Sequence, residues 1–169
     1  MANGQVLYLV RHGIAAERGD NYPDDDQRPL IPEGKARMKQ VGAGLRRLGV
    51  VWDEVLTSPL VRALQTAQIL AEGCEPRPPV TVTDALALGG RTDAIFAELA
   101  KRRSLRSVAL VGHMPGMGIL AAQLVGASRE LDFKKGAVAC IALERGPAAG
   151  AGRLIWFAPP KLLRSSRET

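Results

Sequence analysis

Histidine, cysteine and aromatic residues are all scarce in this chain, and each scarcity closes a route. The two cysteines, Cys74 and Cys140, lack both the CxxC spacing of a zinc or redox site and the density of a disulfide scaffold, so they read as small core residues. Two histidines, far apart and outside any HxxxH pattern, make no transition-metal site, and neither a metal nor another cofactor is expected. Aromatics are 4% of the residues, which argues against nucleic-acid binding despite a net charge of +6. The basic groups, Arg46-Arg47, Lys101 to Arg106, Lys134-Lys135 and Lys161 to Arg167, are short and scattered and read as solvated faces, while the overall balance suits an acidic partner or substrate. Long hydrophobic runs are missing too. The most apolar stretch, Ala109 to Ala127, is broken by His113, Pro115, Gln123 and glycines, so no membrane span is expected. Met1 to Gln5 carries no basic segment of a signal peptide, and a cytoplasmic location is expected.

What is present is a layered pattern. At 169 residues and 46% hydrophobic content the chain suits one domain spanning 1–169, with a frayed tail from about 164. Short apolar runs alternate with helical periodicity, the pattern of an α/β domain. Strands are expected at Val6–Val10, Val55–Thr57, Val80–Val82 and Val108–Val111, with an antiparallel closing pair at Ala137–Leu143 and Leu154–Phe157. Helices are expected over 33–48, started by Pro32 and burying Met38, Val41, Leu45 and Leu48; from Pro59 with Ser58 as N-cap; over about Thr92 to Arg102; and from Pro115. The second of these carries the stripe Leu60, Ala63, Leu64, Ala67, Leu70 and Ala71, the last the stripe Met117, Leu120, Ala121 and Leu124.

The two histidines have matching contexts, "LYLVRHG" and "VALVGHMPG". In each an aliphatic strand ends in Val, one residue follows, and then His. Ligands of open α/β sheets bind beyond the carboxyl ends of the strands, so side-by-side strands would bring His12 and His113 to one crevice. Arg62, in the first turn of the helix after Ser58 and off its apolar stripe, would add its charge to a helix N-terminus and make a site for a phosphate-like dianion. Neutral His12, with an ordinary pKa of roughly 6.5, is a competent nucleophile once its other nitrogen is fixed. Arg11 and Arg62 would grip the equatorial oxygens of a moving phosphoryl group, and His113 would add a donor. Arg18 and the run Asp24-Asp25-Asp26 read as surface loop.

"LVRHG", "LTSPLVRALQTA" and "LVGHMPG" resemble the three signature segments of the histidine phosphatase superfamily, in the family's order. The short length, "RPLIPEGKARM" and the ending "RLIWFAPPKLL" are similar to its SixA-type phosphohistidine phosphatases, and the resemblance runs from Leu7 to about Leu163. It implies a phosphoglycerate mutase-like fold, a three-layer α/β/α sandwich with a mostly parallel central sheet. It also implies His12 as nucleophile, Arg11 and Arg62 as phosphate-binding arginines, and His113 as the second pocket histidine. Two positions depart from the family pattern: Ile14 stands where relatives often have an acid, and Ile31 where Thr is common, leaving the first long helix a poor N-cap.

Larger branches of the superfamily take a proton donor from between the second arginine and the second histidine. Here Asp84 and Asp93 are the candidates, and no inserted subdomain carries a clearer one. An alkoxide, whose basicity resembles that of hydroxide (water pKa ~15.7), needs such a donor. Protonated phosphohistidine expels neutral imidazole, whose conjugate acid has a pKa of roughly 6.5, and needs little help. The expected substrate is therefore phosphohistidine on a phosphotransfer protein. The alternatives are a broad small-molecule phosphomonoesterase and a binding module without turnover.

Overall fold

The computed structural model describes residues 4–165. Six strands form one sheet: β1 (Gln5–Arg11), β2 (Glu54–Thr57), β3 (Val80–Val82), β4 (Ser107–Gly112), β5 (Val138–Leu143) and β6 (Gly152–Ala158), in the order β3-β2-β4-β1-β5-β6. The first four are parallel; β5 and β6 add antiparallel on the far side of β1. Helices α1 (Pro32–Arg47), α2 (Val61–Glu72), α3 (Thr92–Ala100), α4 (Gly116–Val125) and α5 (Pro160–Arg164) connect and close the sheet.

Both faces of the central strands are covered, which explains their unbroken aliphatic spelling. Leu7 and Leu9 of β1 join Leu110 of β4 in a core with Ile95 and Leu99 of α3 and Leu120 and Leu124 of α4. Val10, Ala109 and Val111 point into a second core with Val41 and Leu45 of α1, Ala67 and Leu70 of α2 and Leu163 of α5. The molecule is thus the expected three-layer α/β/α sandwich with a mostly parallel sheet, and Cys74 and Cys140 are free and buried within it.

The expected helices need four corrections. Leu48 lies just beyond α1 and is 63% exposed rather than part of the core. Ser58 does not cap α2 and Pro59 does not open it: both belong to the turn after β2, and the helix begins at Val61 with Leu60 in the cap position. Leu64, expected on the apolar stripe, is half-buried. Helix α3 stops at Ala100, and Arg102 beyond it pairs with Glu54 and Glu98 instead of lying free on a solvated face. Ile31 at the start of α1 gives no side-chain cap, as its apolar character requires. Of the C-terminal stretch expected to fray, Arg164 closes α5, and 166–169 lie outside the described residues. Among the described residues no helix is long and apolar enough to cross a membrane.

Candidate active site

Parallel pairing of β1 and β4 puts Arg11 opposite Gly112, so the residues that follow the two strands are neighbours. His12 N–H donates to the Gly112 carbonyl at 3.0 Å, carrying the strand contact one residue further. The two imidazoles then stand with ring centroids 5.1 Å apart, both buried. Strand β2 lies on the other side of β4, and Ser58 N–H continues that pairing to the Val111 carbonyl at 3.0 Å. Three strand ends therefore deliver His12, His113 and Ser58 to one place.

The ring atoms of the histidines are differently engaged. His12 Nδ1 lies 2.7 Å from the Gly13 carbonyl, which only accepts, so Nδ1 carries the hydrogen and neutral His12 keeps its lone pair on Nε2. His113 Nε2 lies 2.7 Å from Ser58 Oγ, while its Nδ1 is buried without a partner. Burial drives the His12 pKa down to about 3, opposed by the Gly13 hydrogen bond and helped by the charges of His113, Arg62 and Arg11. His113 is pushed down to about 4, again by burial first and then by Arg62 and Arg11, with Asp25 acting the other way. Both rings are neutral at physiological pH.

Arg62 departs most from its expected setting. It sits at the second residue of α2 and is 2% exposed, among the largest fully buried side chains of the described residues. The segment 14–31 folds back across it: Nη1 donates to the Asp25 carbonyl at 2.8 Å and Nη2 to Asp25 Oδ2 at 3.0 Å, while Nε is buried and unpartnered. Arg11 donates Nη1 to the Phe133 carbonyl at 2.7 Å, and its Nε is likewise buried without a partner. Arg11 Nε, Arg62 Nε and His113 Nδ1 are thus three buried nitrogens without a partner, on the three side chains whose charges act on His12. Such groups cost free energy unless a ligand or water completes them, and a tetrahedral oxyanion supplies the acceptors.

Four polar residues complete the arrangement that sequence reasoning did not assign to it. Asp25, expected as solvated loop, takes Arg62, Arg28 (2.7 Å) and Arg18 (2.9 Å) at once. Burial pushes its carboxyl up, but the Arg28 hydrogen bond and the charges of Arg62, Arg28 and Arg18 hold it below the usual range, so it stays ionised. Arg28 also donates to the Ala16 carbonyl, bracing the segment, while Arg18 remains a largely exposed surface charge. Thr66, one turn beyond Arg62, accepts the Gly13 N–H at 3.0 Å and donates to the Arg62 carbonyl at 2.8 Å. Ser58 is the fourth. Tight backbone approach holds the segment's far end: a Cβ at Gly34 would collide with the Ile14 carbonyl, the same carbonyl that accepts Ile31 N–H at 3.1 Å.

Neither candidate proton donor enters this cluster. Asp84 is exposed at a single turn of 3-10 helix, and Asp93 is paired with Arg91 at the surface. A cleft of about 110 Å³ adjoins His113; its walls, including Leu86, Leu88, Ile95, Met114 and Met117, carry no carboxylate. Among the described residues no group of three or more His, Cys, Asp or Glu is placed to hold a metal ion.

Comparison with known proteins agrees with this geometry. The family model of the histidine phosphatase superfamily (branch 1) matches residues 7–87, which span the RHG segment and Arg62. An uncharacterized protein of a Picosynechococcus strain is 40% identical over 146 residues, covering 84% of this chain and 86% of its own. The structure of the protein histidine phosphatase SixA complexed with tungstate superposes with a TM-score of 0.83 at 26% identity, over 94% of this chain and 99% of that one. A candidate phosphohistidine phosphatase SixA from Nakamurella multipartitia gives a TM-score of 0.76 at 25% identity, over 94% and 98%. The chain belongs to the histidine phosphatase superfamily. Within it, the chain falls with the SixA-like branch.

Proposed function

We propose that this protein, acting as one domain, removes phosphate from phosphohistidine on a protein substrate, with His12 as nucleophile and Arg11, Arg62 and His113 binding the phosphoryl group. The Nε2 lone pair of His12 attacks phosphorus, the P–N bond to the substrate ring breaks, and the ring, protonated on its other nitrogen, leaves as neutral imidazole. Water then attacks the phosphorus on His12, the P–N bond breaks with its electron pair returning to Nε2, and phosphate leaves carrying the water's protons, one of which passes to solvent. Arg11 and Arg62 stabilise the charge that spreads over the equatorial oxygens in both steps.

The observation that carries the choice of substrate is the missing acid. The walls of the cleft beside His113 hold no carboxylate, and Asp25, the carboxylate that touches Arg62, is kept ionised by three arginines and has no proton to give. Such a site handles a leaving group that departs neutral far better than an alkoxide. Likeness to a SixA structure that binds tungstate, a tetrahedral oxyanion, supports the same reading.

The test mixes the enzyme with a phosphohistidine-bearing transfer domain and follows loss of label. Loss much faster than with His12→Ala is expected, with a labelled phosphoenzyme trapped on rapid quenching. Equal loss from both proteins overturns the assignment, and preferential turnover of sugar phosphates replaces the substrate.

A further inference from the structure

We infer that Ser58 is a positioning residue that holds His113 in the tautomer with its hydrogen on Nδ1, so that this ring offers the phosphoryl group a donor and not a lone pair. The inference rests on the proposed phosphoryl site, but its structural half stands on hydrogen-bond accounting alone. Ser58 is fully buried, and its Oγ has two partners: the Leu60 backbone N–H at 3.2 Å and His113 Nε2 at 2.7 Å. The backbone N–H only donates, so it occupies one lone pair of the oxygen. If His113 Nε2 also donated, the serine would accept twice and its own hydrogen would be left buried without an acceptor. The alternative satisfies every atom of the trio: Oγ–H donates to Nε2, and the ring hydrogen moves to Nδ1.

That hydrogen is the one the protein does not use. His113 is 4% exposed and Nδ1 has no partner, so the serine leaves a buried donor waiting for an acceptor. Phosphoryl oxygens are acceptors, and a lone pair on Nδ1 would repel them. The pairing also separates the duties of the two histidines, because His12 is held with its lone pair on Nε2 by the Gly13 carbonyl.

The charges facing His113 come from Arg11 on β1, from Asp25 and Arg28 in the segment before α1, and from Arg62 on α2, with neutral His12 beside it. The 85–90 segment and α4 bring no ionisable side chain to the adjoining cleft. Asp25 and His12 also take up protons in acid, but they do so in wild type and in Ser58→Ala alike, so a comparison of the two proteins isolates the His113 ring. A protonated His113 carries Nδ1–H whatever its neighbour is, which separates tautomer control from mere packing.

The first measurement uses untagged, 15N-histidine-labelled, ligand-free protein, whose two histidines give four ring nitrogens. His113 Nδ1 is expected in the protonated range and Nε2 in the unprotonated range, with Ser58→Thr preserving both and Ser58→Ala moving only the His113 signals. The opposite assignment for His113 in the wild-type protein overturns the inference. The second measurement is kinetic. Ser58→Ala is expected to lower kcat about 10- to 100-fold near neutral pH, with Ser58→Thr retaining most of the activity and the gap to wild type narrowing only as pH falls toward about 4, where the His113 ring takes up its second proton. A Ser58→Ala deficit that stays constant down to about pH 4 also overturns it. Failure of the phosphatase reading would show separately, as undiminished turnover in His12→Ala, because the tautomer is read without substrate.

Discussion

His12 and His113 occupy nearly identical positions: each follows an aliphatic strand by one residue, each is buried, and each is neutral at physiological pH. They differ in which ring nitrogen the protein holds. A backbone carbonyl takes the hydrogen of His12 Nδ1 and exposes a lone pair on Nε2; a hydroxyl meets His113 at Nε2 and leaves Nδ1 unpartnered. The strand end places a histidine, but the partner of its second nitrogen decides whether the ring presents a lone pair or a hydrogen, and so which part it takes in the proposed reaction.

The largest effects should fall on the histidines themselves, and unequally. His12→Ala is expected to lower kcat at least about 10⁴-fold and abolish the phosphoenzyme. His113→Ala should cost about 10²- to 10³-fold while a slowly formed phosphoenzyme can still be trapped, since it removes a donor and not the nucleophile. Equal losses with no phosphoenzyme in either variant would break the comparison. Next is Asp25→Ala, which takes the carboxylate from Arg62 Nη2 and leaves only the backbone carbonyl of residue 25 on Nη1. A drop of about 10-fold in kcat is expected, read together with phosphate affinity to show whether the arginine has lost its aim. Thr66→Val removes the anchor of Gly13 and so loosens the carbonyl that orients His12. A loss of about 1 kcal/mol in urea unfolding and a few-fold drop in kcat are expected, with the His113 ring signals unchanged.

A separate effect, on stability alone, is a slope with pH. Both folded-state pKa values, about 3 and about 4, lie below the unfolded value of roughly 6.5, so below that pH the unfolded chain binds more protons. Their contribution is fully present above about pH 6.5 and is lost as pH falls, His113 ceasing to add to the loss near pH 4 and His12 near pH 3. The slope approaches about 1.4 kcal/mol per pH unit for each ring. Urea midpoints measured between pH 7 and 4 should flatten in His12→Asn and in His113→Asn.

The frame of the site was legible because it lies on strongly patterned segments. Continuous aliphatic runs mark strands covered on both faces, and β1 and β4 do end at Arg11-His12 and Gly112-His113 side by side. The burial of Arg62 was not legible. It depends on the segment 14–31 closing over α2, and an arginine off an apolar stripe looks the same whether a loop covers it or water does. Asp25 was hidden for a related reason: three aspartates in a row spell a solvated turn, and only a contact with Arg62, far along the chain, distinguishes the middle one. Its pairing with Arg28, three residues on, was the one local signal. Ser58 reads as a helix cap, a common use of a serine before Pro; the helix starts later, and the hydroxyl turns to the histidine that follows β4.

The central seat of β1 has a consequence for how the protein comes into being. Its two hydrogen-bonded neighbours are drawn from 107–112 and 138–143, so β1 leaves the ribosome before either and stays unpaired on both edges until they have followed. Contacts so remote along the chain raise the contact order and slow the search for the native state. A nascent chain that already displays the RHG tripeptide therefore has no reactive centre, and a half-made copy cannot strip phosphate from anything.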